Sequence, residues 1–259
     1  LQALWEGLMR MGGGWMIDLD IRKFFDTLDK SHLREILKRR VRDGVLLRLI
    51  GKWLNAGVLE GGEISYPEYG TPQGGVISPM LSNIYLHDVL DRWFEAEVKP
   101  RMKGKAFLIR FADDAVLVFA RKEDAERVME VLPKRFGKYG LAVHPEKTRL
   151  IWFGRPEKRE AGTSKPPRWE KFNFLGFTHY WGRSRKGAWV VKRKTESGRL
   201  TRALKGITEW CRWHRHWPLG EQQRVLSLKL RGHYAYYGIT GNARCLNSYL
   251  YQVRRTWRK

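Results

Sequence analysis

Phe107-Leu108-Ile109-Arg110-Phe111-Ala112-Asp113-Asp114-Ala115-Val116-Leu117-Val118-Phe119 decides how this chain is read. Two apolar runs flank a short polar break that carries two carboxylates, the pattern of two strands joined by a tight hairpin. An isolated Asp-Asp of this kind is ordinarily a solvated turn. Its meaning changes with two blocks upstream, Asp18-Leu19-Asp20-Ile21-Arg22-Lys23-Phe24-Phe25 and Thr71-Pro72-Gln73-Gly74-Gly75-Val76-Ile77-Ser78-Pro79. Side chains alternate faces along a strand, so the run from Trp15 to Asp20 can pack its apolar members and hold a carboxylate at its end.

Acids at two separate places suit one kind of chemistry. Two divalent ions about 4 Å apart can activate an attacking 3′-hydroxyl and stabilise departing pyrophosphate, and hard cations want oxygen ligands. Asp20, Asp113 and Asp114, brought side by side, would supply them to two Mg2+ ions, with Mn2+ a substitute. The ordered set of blocks, with the Gly-rich one in the middle, reads as a nucleotide polymerase site.

The wording and order of the blocks resemble a reverse transcriptase of the group II intron-encoded kind, also called an intron maturase. Phe-Ala-Asp-Asp at 111–114 matches the family's Tyr/Phe-Ala-Asp-Asp box, and residues 73–79 match its Gln-Gly-x-x-x-Ser-Pro box. Asp20 to Asp26 matches Asp-Ile-Lys-Gly-Phe-Phe-Asp, with Arg22 and Lys23 altered. Gly140-Leu141 through His144-Pro145-Glu146-Lys147-Thr148, then Phe174-Leu175-Gly176-Phe177, match later blocks in order. Leu230-Arg231-Gly232-His233-Tyr234-Ala235-Tyr236-Tyr237 is similar to the Leu-Arg-Gly-Trp-x-x-Tyr-Tyr/Phe element of the maturase domain.

The resemblance implies roles. Asp20, Asp113 and Asp114 stand at metal-binding positions, with the backbone of Ile21 as a carbonyl ligand. Asp18 competes with Asp20, whose face it shares, but the five-residue step from Asp20 to Phe25 is the family's. Phe25 is then the steric gate under the sugar's 2′ position. Gln73 lies over the templating or incoming nucleotide, and Gly74 and Gly75, lacking β-carbons, let backbone come close to it; a plain turn is their other reading. Lys147 would protonate the pyrophosphate, unless it is an ordinary exposed lysine. The implied partners are an intron RNA template, a DNA primer and dNTPs. A non-catalytic RNA-binding maturase fragment is the alternative, and a retron or diversity-generating reverse transcriptase a second one. The resemblance also implies a chain truncated within the fingers, without the terminal DNA-binding and endonuclease modules.

Composition points to the same partner class. The 50 Lys and Arg against 27 Asp and Glu give +23, a charge that calls for a polyanion. Residues 155–259 hold 25 Lys/Arg and 6 Asp/Glu, a net +19, whereas residues 1–154 hold 25 and 21, a net +4. Seven of the 12 Trp also fall in the basic part, where aromatic faces can stack on unpaired bases. Trp210, Trp213 and Trp217, at helical spacing, read instead as core. The two Cys, Cys211 and Cys245, have no pairing motif and suit a reducing cytoplasm. Cys211 with His214 and His216 lacks a fourth zinc ligand and reads as structural. No apolar run is long enough for a bilayer. The oligomeric state, a homodimer included, is not readable.

The pattern predicts an α/β fold: a right-hand palm of the ferredoxin-like split βαβ kind with partial fingers over residues 1–182, then an α-helical thumb or maturase domain over 195–259. Helices are expected at Leu33, Ile36 and Leu37 and at Val45, Leu49, Ile50 and Trp53, each packing its apolar face on the sheet. Another should start with Ser78 as N-cap and Pro79 at the first position. A helix from about 123 to 139, a short strand near Leu141 and another strand at 148–153 come next. Residues 155–168 read as an exposed loop, 172–177 as a return to the sheet, and a basic hairpin runs to Val191. Breaks at 218–220 and 238–241 divide the remainder into three helices.

Overall fold

The computed structural model describes residues 1–56, 58–60, 63–65, 70, 77–156 and 170–258. Gln73, Gly74 and Gly75 lie outside the described residues, as does most of the loop expected at 155–168. The chain divides into two compact units, Leu1–Arg155 and Pro156–Lys259. The division falls ahead of position 182, where the sequence pattern places the end of the palm.

The first unit is built on a four-stranded sheet of β1 (Trp15–Leu19), β4 (Ala106–Phe111), β5 (Asp114–Phe119) and β6 (Arg149–Trp152), in the order β4-β5-β1-β6. Every pairing is antiparallel. The hairpin expected at 107–119 is therefore β4 and β5, and the first acid-bearing strand lies beside it. Met16, Ile17 and Leu19 of β1 and Ala115 to Phe119 of β5 are buried, as a central pair covered on both faces requires. A short helix α1 (Gln2–Met11) leads into β1 through three glycines. A β-carbon on Gly13 would lie 1.9 Å from the Phe153 carbonyl oxygen, and one on Gly14 would lie 2.3 Å from that of Phe119. Only glycine lets the chain enter the middle of the sheet there.

Helices cover the sheet. After the single turn α2 (Phe24–Thr27), α3 (Lys30–Arg40) is capped by Asp29, whose carboxylate accepts from the Ser31 and His32 N–H groups, and it buries Leu33, Ile36 and Leu37 as expected. The next helix, α4 (Gly44–Leu54), departs from expectation. Its inward line is Leu47, Ile50 and Leu54, whereas Val45 is 65% exposed, Leu49 40% and Trp53 41%. Four apolar positions fit one stripe, but the helix turns the 47-50-54 line, spaced three and four apart, toward the core. A two-stranded hairpin, β2 (Val58–Glu60) with β3 (Glu63–Ser65), comes after it where no strands were expected.

Helix α5 (Ser78–Leu86) has its cap at Ile77, so Ser78 is already in the first turn, one residue inside the predicted boundary. It continues through wide π-type turns at His87–Asp91 and Phe94–Val98. These bury Val89, Leu90, Phe94 and Val98 against the sheet, together with Val128, Leu132 and Phe136 of α6 (Lys122–Gly137).

The second unit opens with its own three-stranded antiparallel sheet, β7 (Phe172–Phe174), β8 (Phe177–Arg183) and β9 (Trp189–Thr195). Residues 172–177 therefore do not return to the first sheet. β7 pairs with β8, Phe172 opposite His179 and Phe174 opposite Phe177, because a two-residue reversal at Leu175-Gly176 makes the nearest partner the neighbouring strand in sequence. Three helices come next, as expected: α7 (Ser197–His214), α8 (Leu219–Tyr237) and α9 (Ala243–Trp257), closed around Ile207, Leu226, Tyr249 and Val253. Buried Asn242 ties them to β9: its amide donates to Thr195 Oγ1 at 2.8 Å, and its Oδ1 accepts from the Thr195 N–H at 2.9 Å. Of the three tryptophans assigned to core, Trp210 packs on this cluster. Trp213 is 82% exposed, because the inward line of α7 runs through Leu200, Ala203, Leu204, Ile207, Trp210 and Cys211 and leaves it outside.

Candidate active site

Strand register brings the acids together. β1 and β5 pair from Trp15 with Phe119 to Leu19 with Ala115, so Asp20 is the first residue beyond the ladder, beside the position of Asp114. β4 and β5 pair up to Phe111 with Asp114, which leaves Ala112 and Asp113 as a two-residue turn. Ala112 has φ +53°, the left-handed conformation that such tight hairpins demand and that glycine usually supplies. Asp113 is half-buried and Asp114 exposed. Sequence order and pairing thus place all three acidic residues at one end of two neighbouring strands.

Asp20 is fixed from the other side by the segment 142–148. The His144 N–H donates to the Asp20 carbonyl oxygen at 2.9 Å, and the Arg22 N–H donates to that of Ala142 at 2.8 Å. These bonds flank the single bridge between Ile21 and Val143, so the Ile21 carbonyl stays outside that pairing. The hydroxyl of buried Thr148 accepts from the Asp20 N–H and donates to the Asp20 carbonyl, each at 3.2 Å. Nothing in a lone threonine signals this role; the Gly140–Thr148 block as a whole carried the hint.

Lys147 Nζ stands 3.6 Å from Asp20 Oδ2, with both groups solvent-accessible. Asp18, one step earlier on the same face, is paired with Arg149 on β6, Nη2 to Oδ2 at 3.2 Å. Burial raises the Asp18 pKa, and the hydrogen bond and charge of Arg149 work against that rise. Asp18 thus has Arg149 as its cationic partner, as Asp20 has Lys147. Phe25 sits in α2 five residues past Asp20, half-buried, its ring 5.3 Å from that of Phe24 in an edge-on contact and packed at the margin of the core.

Among the described residues, no three His, Cys, Asp or Glu side chains are grouped closely enough to hold a metal ion. The His214 ring nitrogen Nδ1 lies 2.8 Å from the Trp210 carbonyl oxygen. Asp20, Asp113 and Asp114 nonetheless fit a divalent ion in donor chemistry, being carboxylate oxygens on adjoining strand ends with a backbone carbonyl beside them. The Lys147 ammonium is the cation that Asp20 meets in this structure.

The second unit presents a different surface. Trp213, Tyr236 and Tyr251 are exposed, and Arg183 lies over the Trp189 ring at 4.2 Å, among the residues that give 155–259 its net +19. Cations with exposed aromatic faces suit unpaired nucleic acid. Among the described residues, no helix is long and apolar enough to cross a membrane.

Residues 9–179 match the family described as reverse transcriptase (RNA-dependent DNA polymerase). The chain is 28% identical over 197 residues to the putative COX1/OXI3 intron 1 protein of Saccharomyces cerevisiae, a match that covers 57% of this chain and 24% of that protein. It is 40% identical over 78 residues to the group II intron-encoded protein LtrA of Lactococcus lactis subsp. cremoris, covering 30% of this chain and 13% of that one. The chain therefore spans a quarter or less of the length of these two relatives. Among solved structures, apo telomerase from Candida tropicalis aligns with a TM-score of 0.52 at 18% identity, over 78% of this chain and 35% of that one. That likeness is one of fold.

Proposed function

Because the chain belongs to the reverse transcriptase (RNA-dependent DNA polymerase) family, we propose that it adds deoxynucleotides to a DNA primer on an RNA template, as part of a group II intron-encoded reverse transcriptase that also assists splicing of its intron RNA. The observation that carries this reading is the register that sets Asp20 beside the hairpin turn bearing Asp113.

Asp20, Asp113 and Asp114, with the Ile21 carbonyl, would hold the two divalent ions, Mg2+ or in its place Mn2+. Bound there, such ions lower the pKa of a primer 3′-hydroxyl and neutralise charge on the triphosphate. The residues of the chain do the rest. Thr148 and His144 hold the Asp20 backbone, so its carboxylate needs little reorganisation as charge develops. As the 3′-oxygen, its proton lost to solvent, bonds to the α-phosphorus, the bond to pyrophosphate breaks, and Lys147, whose Nζ is 3.6 Å from Asp20 Oδ2, would give the leaving oxygen a proton. Phe25 would cover the sugar's 2′ position. Gln73, Gly74 and Gly75 keep their proposed role at the nucleotide and template.

Intron RNA, primer and dNTPs are the proposed partners. Residues 155–259, with their net +19, would supply most of the phosphate affinity. A telomerase from Candida albicans, solved in complex with a fragment of telomeric RNA, has the same fold at a TM-score of 0.51 and 14% identity, which is compatible with an RNA partner. Primer extension on an RNA template, with Asp113 intact and replaced, tests the proposal.

A further inference from the structure

Arg110 is the one charged residue in the apolar strand β4, and its side chain is only 11% exposed. A cation in that position is costly unless its donors are met. They are met on three elements. Nε donates to Asp91 Oδ1 at 2.7 Å and Nη2 to Asp91 Oδ2 at 2.6 Å, the two-pronged fork that only a guanidinium offers. Nη1 donates to Asn83 Oδ1 at 2.9 Å and to the Ala112 carbonyl oxygen at 2.8 Å.

The last bond reaches the hairpin turn itself. Ala112 is held at positive φ without being glycine, and the peptide whose carbonyl Arg110 grips joins it to Asp113. Strained backbone persists where surroundings over-determine it. Asn83 lies on α5, which begins shortly after the Gly74-Gly75 block, and Asp91 lies in the wide turn that extends α5. His87 Nδ1 is a further neighbour of Asp91, 3.4 Å from Oδ2.

We propose that Arg110 is a positioning residue, clamping the Ala112–Asp113 peptide to Asn83 and Asp91 so that the Asp113 carboxylate is aimed at its partner on β1. The role of Asp113 as a ligand rests on the reading in the preceding subsection; the clamp itself does not need turnover to be seen. Arg110→Lys keeps the charge but loses the fork. Asp91→Asn leaves Arg110 in place and weakens its anchor, at a side chain open enough to tolerate the change.

Hydrogen exchange of a peptide spanning 108–116, compared with one inside α6, is the test. In each variant that folds, exchange in the hairpin peptide rises about tenfold or more while α6 is unchanged, and Mn2+ affinity measured by electron paramagnetic resonance falls. In an extending protein, kcat drops about 10- to 100-fold with KM for dNTP within about threefold. If Arg110→Lys does not fold, Asp91→Asn decides alone. Unchanged hairpin exchange, or an equal rise in α6, overturns the clamp. An unclamped hairpin in a protein whose parent neither extends primers nor binds Mn2+ upholds the clamp and removes the polymerase reading instead.

Discussion

The hydroxyl of Thr148 holds the backbone of Asp20 on both sides, accepting from its N–H and donating to its carbonyl oxygen at 3.2 Å each. Two residues 128 positions apart in the chain thus share one small hydrogen-bonded ring beside the proposed reacting centre. Thr148→Val keeps the shape and leaves the Asp20 N–H without that partner. Such a loss costs about 1–3 kcal/mol when the group is shielded from water. Urea denaturation should show a loss in that range for Thr148→Val and less than about 1 kcal/mol for Thr148→Ser. Equal stability of Thr148→Val and the parent would remove this role.

Much of this site was legible because its signals are local. The hairpin at 107–119 announces itself by two apolar runs around a polar break, and β1 by an apolar run ending in Asp20. What escaped was set by distant partners. Thr148 and Arg110 look ordinary until residues 128 and 19 positions away are brought beside them. The stripe of Val45, Leu49 and Trp53 has the right period for burial, yet which stripe of a helix faces the core depends on the neighbour it meets. Trp213 obeys the same rule on α7. The strand at 172–174 was recognisable as a strand, but the identity of its partner is a matter of topology that period-two alternation does not encode.

The Phe25 ring is half-buried at the margin of the core, and both its proposed roles can be separated. As a gate it excludes a ribose 2′-hydroxyl by volume. Phe25→Ala should then narrow the preference for dNTP over NTP by about 1–3 kcal/mol, the scale of a small steric difference in a pocket. An unchanged ratio of incorporation with a lowered melting temperature would mean that the ring is only packing.

RNA affinity should fall steeply with salt, since each phosphate neutralised releases counterions. Arg254 and Arg255, exposed on α9 in the +19 part of the chain, are convenient reporters. Replacing both with Gln should reduce the slope of log K against log salt by about 1 to 2. A slope that does not move would place the phosphate contacts elsewhere.

His179 is fully buried in β8 and stacks on Phe172 at 4.7 Å. Burial, helped by the Arg193 charge, pushes its pKa down to about 4. Below about 6.5 the unfolded chain therefore binds a proton that the folded one refuses, so stability is full above that pH and is lost as pH falls from about 6.5 toward 4. The loss approaches about 3 kcal/mol at the lower end. Urea midpoints between about pH 7.5 and 4.5 should show this decline, and His179→Phe should flatten it. A decline identical in the variant would assign it to other groups.

Whether Asp20 and Asp113 hold divalent ions for RNA-templated DNA synthesis is decided most directly by extension of a labelled DNA primer on an RNA template with dNTPs and Mg2+. The parent chain and Asp113→Asn are compared side by side, together with their RNA affinities. Mg2+-dependent extension is expected from the parent and none from Asp113→Asn, with similar RNA binding by both, because the proposed phosphate contacts are in the basic part of the chain, away from Asp113 in sequence. Extension by Asp113→Asn at near the parental rate would contradict the metal-binding role.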